Sequence, residues 1–166
     1  MGAQKLLATG LDFVTGGTYA SGTEKFLWVE SRITPPVGHR VGEAGLGTIG
    51  LTLGTHYDRA NGAELASVDF SLYSAIVVAS SFGGLLTRAE LDALIARKAD
   101  IEAFVNAGGG VFAMAECYPC GQSLLAGATP PDLFGYLPLN VVSVGTNPPF
   151  TVTSYGQSLG LTDADV

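Results

Sequence analysis

The run from Ala75 to Ala115 restricts the fold more than any other part of the chain. Ala75 to Ser80, AIVVAS, is a short apolar stretch of the kind that forms a strand covered on both faces. Thr87-Arg88-Ala89-Glu90 is a capping box, a hydroxyl followed three residues later by a carboxylate, and it opens a helix. Leu91, Leu94, Ile95, Ile101, Phe104 and Val105 give that helix an apolar face as far as about Asn106. Gly108-Gly109-Gly110 stops it, and Val111 to Ala115, VFAMA, is a second buried strand. Strand, capped helix, glycine stop and strand make a βαβ unit. The unit predicts neighbouring parallel strands at 75–80 and 111–115, joined by one helix over 88–106 in a right-handed crossover.

A parallel sheet needs cover on both faces, and the composition supplies it. Apolar residues are 47% of the chain and charged residues 14%, where about a quarter charged is typical. A chain of 166 residues fits one domain, 1–166. It can bury roughly two thirds of its unfolded surface without a disulfide or metal.

The remaining elements are read the same way. Leu7, Leu11 and Val14 predict a helix over 3–14, stopped by Gly16-Gly17. Lys25 to Glu30, KFLWVE, predicts a short strand, and Pro35-Pro36 a loop. Leu46, Ile49 and Leu53 predict a helix over 43–53, weakened by three glycines. His56-Tyr57-Asp58 is a short strand or its end, a small helix lies near Ser123–Leu125, and Pro130-Pro131 marks a turn. Val141-Val142-Ser143-Val144 and Phe150-Thr151-Val152-Thr153 read as late strands. Leu161 to Val166 reads as cut off in mid-element.

Charge excludes several classes of function. The net charge is −7, and the eight Lys and Arg residues are scattered without a basic stripe, so neither nucleic acid nor an anionic membrane is an expected partner. No apolar run approaches the roughly 20 residues that cross a bilayer. No signal-peptide pattern opens the chain, so the expectation for it as given is cytoplasmic.

Residues 68–116, VDFSLYSAIVVASSFGGLLTRAELDALIARKADIEAFVNAGGGVFAMAE, resemble class I glutamine amidotransferase-like domains, including their ThuA-like branch. The resemblance implies a three-layer α/β sandwich with a mostly parallel, flavodoxin-like sheet. It also implies a nucleophile elbow, Gly-x-Cys-x-Gly, after the strand at 111–115. Here that elbow reads Ala113-Met114-Ala115-Glu116-Cys117 and its nucleophile position is Ala115. Such domains open with a strand, whereas this chain opens with a helix, so the first strand reads as missing and the domain as truncated at both ends. A missing interior strand would leave unpaired backbone beside KFLWVE or AIVVAS. Another segment would then fill the gap, or a homo-oligomer, most simply a two-fold dimer, would cover it.

Cys117 follows the carboxyl end of a strand, where open α/β sheets place their ligands. As a nucleophile it needs a base, which His56 would supply with Glu116 orienting. A loop thiol without a role is the bland reading. Cys117 and Cys120 also form C-x-x-C, with the spacing of a local disulfide or half a zinc site, and no second pair completes the zinc set. Ser81, in Ala79-Ser80-Ser81-Phe82-Gly83, imitates the hydrolase elbow G-x-S-x-G, but the helix capped at Thr87 starts late for one. Asp163 and Asp165 could join a Ca²⁺ site, which needs six to eight oxygens, or belong to a solvated tail. His39-Arg40 with Glu43 could line a pocket for a carboxylate or lactone, or be a surface loop. The expected function is hydrolysis of a small ester, lactone or amide at the carboxyl edge of the sheet. The alternative is a non-catalytic module that binds a small molecule or partner chain there.

Overall fold

Four short segments become strands: β1 (Phe26–Val29), β2 (Tyr57–Ala60), β3 (Ala75–Val78) and β4 (Gly110–Ala113). The computed structural model describes residues 2–31, 42–81, 85–114, 133–142 and 148–166. All pairings are parallel and the order is β2-β1-β3-β4. Every residue of β1 and β3 is buried, as the uninterrupted apolar runs require of interior strands. The predicted β3–β4 pairing is present, with Ala75 opposite Gly110 and Val78 opposite Ala113.

The order also corrects the expectation of a missing strand. KFLWVE is itself interior, bonded to β2 on one side and β3 on the other, and Ala79 N–H extends the β1–β3 ladder to the Val29 carbonyl. No gap separates β1 from β3, so the need for a second chain to cover one disappears.

Helix α1 (Gly2–Thr15) precedes β1 and α2 (Glu43–Thr48) joins β1 to β2. On the way to β3 lies α3 (Gly62–Leu65), and α4 (Arg88–Ala96) and α5 (Lys98–Asn106) join β3 to β4. From β1 the chain steps one way to β2, then the other way to β3 and β4. Right-handed crossovers in opposite directions put their helices on opposite faces. The core accordingly divides in two. Phe26, Trp28, Tyr57, Ala75 and Val77 pack with Leu11 of α1 and Leu46 of α2. Leu27, Val29, Ile76 and Val78 pack with Leu65, Leu91, Leu94, Ile101 and Phe104 from α3, α4 and α5. The period-two alternation of the strands sorts these residues between the faces.

The one predicted helix over 88–106 is two, broken at Arg97 (φ −102°, ψ 19°). Arg97 Nη1 donates to the Leu65 and Val68 carbonyls, at 3.0 and 2.5 Å, and the guanidinium lies 4.0 Å over the Phe70 ring. These contacts hold Arg97 where a continuous helix would not. Two of the three stop glycines have separate reasons. Gly108 takes a φ of +100°, and a Cβ on Gly110 would stand 2.0 Å from the Val14 carbonyl oxygen of α1.

Two further expectations change. The helix predicted over 43–53 ends at Thr48, and Gly50 adopts a left-handed φ of 84°. Phe150 to Thr153 is not a strand. Phe150 is exposed, and Thr153 caps α6 (Ser154–Ser158) by accepting from the Gly156 N–H. Val141 and Val142 are irregular. Ser143 and Val144, the loop at Pro35-Pro36, the helix near Ser123–Leu125 and the turn at Pro130-Pro131 lie outside the described residues. No described helix is long and apolar enough to cross a membrane.

Candidate functional site

In an open parallel sheet, ligands bind outside the carboxyl ends of the strands where the strand order reverses. Here that point lies between β1 and β3. Period two puts Glu30 on the same side as Trp28, just past the end of β1. The register sets Phe26 opposite Tyr57 and Trp28 opposite Arg59, so Tyr57 and Arg59 share that side. Helix α2 covers it with Glu43 at its first position.

These side chains form one network. Glu30 is only 5% exposed. Its Oε2 accepts from Trp28 Nε1 at 2.6 Å and from the Glu43 backbone N–H at 2.7 Å. Arg59 Nη2 stands 3.8 Å from Glu30 Oε1 and donates to the Ser31 carbonyl, while Nη1 donates to Glu43 Oε2 at 2.5 Å. Tyr57 Oη donates to Glu43 Oε1 at 3.1 Å. Burial raises the Glu30 carboxyl above the usual carboxylate range. The indole, the amide and Arg59 oppose that rise, and the Glu43 charge adds to it. Burial and then Glu43 push the Tyr57 phenol up as well. Arg59 Nε is buried, and among the described residues it has no hydrogen-bond partner. Across the point of reversal, Ser31 N–H donates to the Leu85 carbonyl at 2.6 Å, which ties β1 to the segment beyond β3.

Among the described residues, His56 and Ser81 stand at opposite edges of the sheet. His56 stands immediately before β2, at the amino edge of the sheet, and its Nδ1 accepts from the Thr52 N–H at 2.9 Å. A base for chemistry at the carboxyl edge would have to stand at that edge, and the partners expected for His56 (Cys117 and Glu116) lie outside the described residues. Ser81 does lie past the carboxyl end of β3, buried at 3% exposure. Cys117, Cys120, Glu116, Ala115, His39 and Arg40 lie outside the described residues. Glu43 is not part of a simple surface loop but the first residue of α2.

Asp163 and Asp165 serve as local structural acceptors. Asp163 Oδ1 accepts from the Val152 N–H at 2.7 Å. Asp165 Oδ2 accepts from Lys5 Nζ, Thr162 N–H and Thr162 Oγ1, each at 2.8 Å. Lys5 first, then Thr162, hold the Asp165 carboxyl down at about 2. A carboxylate already paired with a lysine is a poor Ca²⁺ ligand, and among the described residues no group of three or more His, Cys, Asp or Glu is placed to hold a metal.

Glu30 and Arg59 escaped the sequence reading. The available signal was alternation: Trp28 and Glu30 share a face, as do Tyr57 and Arg59, so two parallel strands bring an acid and a base to one side. A separate hollow of about 440 Å³, between Asp69, Phe70, Tyr73, Arg97, Asp100 and Phe104, lies toward the amino edge. Arg97 is already engaged there by two carbonyls and by Asp100. Comparison with families, with curated proteins and with solved structures returned no match.

Proposed function

We propose that this chain is a small-molecule-binding domain of flavodoxin-like architecture, with its ligand at the carboxyl edge between β1 and β3. The observation that carries the reading is the reversal of strand order at that place, beside a partly buried acid–base network built from Glu30, Arg59 and Glu43. Burying the Glu30 carboxylate beside a partly buried guanidinium carries a desolvation cost. Groups held at that cost beside a ligand edge are candidates for function. The position of His56 at the other edge and the alanine at 115 favour binding over nucleophilic catalysis.

Hydrolysis of a small ester, lactone or amide at Cys117 is the second reading. It is favoured by one observation: β4 runs parallel to the other strands, so the chain leaves it at the carboxyl edge, two residues before Glu116. Fragment binding followed by amide shifts separates the two. Binding should move the amides of Glu30, Ser31, Ala79 and Ser80, and Cys117→Ala should leave it unchanged. Shifts confined to Thr52 and His56 would place the site at the wrong edge. Turnover of an activated ester, lactone or amide that is lost in Cys117→Ala would transfer the conclusion to hydrolysis.

A further inference from the structure

We propose that Leu85 is a built-in occupant of the carboxyl-edge site: its carbonyl takes the Ser31 N–H, its side chain fills the space beside Glu30, and a ligand binds by displacing it. The inference rests on the ligand reading above and names the chemistry that such a ligand carries.

The point where the strand order reverses is covered. The β1–β3 ladder ends where Ala79 N–H donates to the Val29 carbonyl at 3.0 Å. Past that point Ser31 N–H donates to the Leu85 carbonyl at 2.6 Å, and Leu86 N–H donates to the Ser80 carbonyl at 3.1 Å. Leu85 and Leu86 are consecutive, yet they pack on opposite faces of the sheet. Leu85 belongs with Trp28 and Leu46, and Leu86 with Val29 and Val78. The chain therefore crosses the sheet edge between them, at the place where open parallel sheets hold their ligands.

The side chain of Leu85 is 1% exposed. Its Cδ1 and Glu30 Oε2 crowd one point beside Gly42, the residue before α2: a Cβ there would stand 2.9 Å from the first and 2.5 Å from the second. Leu85 thus fills the space between the end of β1 and the start of α2. Moving it frees a branched apolar volume and the Ser31 N–H, a donor that needs a new partner. A matching ligand carries an acceptor oxygen beside a branched apolar group. The oxygen belongs to a neutral amide, ester or ketone. An anion would meet the carboxylates of Glu30 and Glu43, and Arg59 is already engaged by Glu43 and the Ser31 carbonyl.

N-acetyl-L-leucinamide has that oxygen and that side chain, whereas N-acetylglycinamide has only the oxygen. The test titrates each into wild type and Leu85→Ala and follows the Glu30 and Ser31 amides and the Leu85 methyls of wild type. The leucine compound should bind wild type weakly and move the Ser31 amide and the Leu85 methyls together. It should bind Leu85→Ala at least about tenfold more tightly, because the competing side chain is gone. The glycine compound should gain nothing from the variant. Equal or weaker binding of the leucine compound to Leu85→Ala would overturn the proposal, as would binding to neither protein. Shifts at Glu30 that leave the Leu85 methyls and the Ser31 amide unmoved would overturn displacement while the ligand reading stands. A second measurement needs no variant. In native-state hydrogen exchange the Ser31 amide should open locally, with little dependence on denaturant, while the amides of β3 follow global unfolding. Exchange of Ser31 only by global unfolding would overturn the proposal even where Leu85→Ala fails to fold.

Discussion

Glu30 shows how burial and pairing compete within a single side chain. Three favourable partners surround it, yet burial wins and the carboxyl is raised. The folded chain therefore holds more protons than the unfolded chain between the ordinary glutamate pKa and the raised one. The stability Glu30 contributes is full below that ordinary value and is lost as pH rises through the folded value. Glu30→Gln cannot titrate, so it should gain on wild type across that window, measured as urea midpoints against pH. A pH-independent difference would show that burial does not dominate. Glu30→Leu should lose stability at every pH, because it orphans the Trp28 and Glu43 N–H donors at about 1–3 kcal/mol each. The two aspartates near the C-terminus make the contrasting case. Their oxygens accept from Val152, Thr162 and Lys5, so millimolar Ca²⁺ should leave the melting temperature unchanged. A rise of several degrees that vanishes in Asp163→Asn would restore the metal reading.

The break between α4 and α5 is an element-scale feature with a residue-scale cause. Arg97 sits over Phe70, donates to two carbonyls in the segment after α3, and pairs with Asp100. It thereby fastens the α4–α5 pair to the segment that leads into β3. Arg97→Ala should destabilise the fold by about 2–3 kcal/mol, counting the bonds to the two carbonyls and the ring contact. Arg97→Lys should recover only part of the loss, since an ammonium cannot stack its plane on the ring while reaching both carbonyls. Urea unfolding of the two variants measures this. Equal stability of Arg97→Ala and wild type would mean that the break is set by the helices alone. Glu90 does comparable work at the other end of α4. It closes the capping box with Thr87 and also accepts from the Gly62 N–H at 2.9 Å, joining the start of α4 to the start of α3.

At the scale of the whole molecule, β1 and β3 are interior and β2 and β4 lie at the edges of the described sheet. Backbone amides in β1 and β3 should therefore exchange slowest and those of β2 and β4 earlier, because edge strands open without breaking the core. Uniform protection across the four would indicate cover on both edges from elsewhere. Self-association was expected because a strand seemed absent and the composition is apolar. With β1 paired directly to β3, a monomer across a light-scattering dilution series is the expected outcome. A concentration-dependent dimer would point instead to an edge strand or to the exposed Phe13–Tyr155 pair, whose rings meet edge to face at 6.1 Å.

Local pattern determined much of this protein. The apolar runs specified β1 and β3, Thr87 and Glu90 specified where α4 begins, and the glycines at 108–110 specified the return to β4, because each depends on neighbours within a few residues. Parallel pairing followed from the helix between two buried strands. Strand order did not follow, since the run KFLWVE has the same local chemistry at the edge of a sheet as in its middle. Only the tertiary structure made it the missing first strand. The network of Glu30, Arg59 and Glu43 was likewise hidden, because its members lie 13 to 29 residues apart and meet only through the β1–β2 register and the seat of α2. The same register sent His56 to the amino edge, since a residue that precedes a parallel strand cannot serve the end at which the strand finishes.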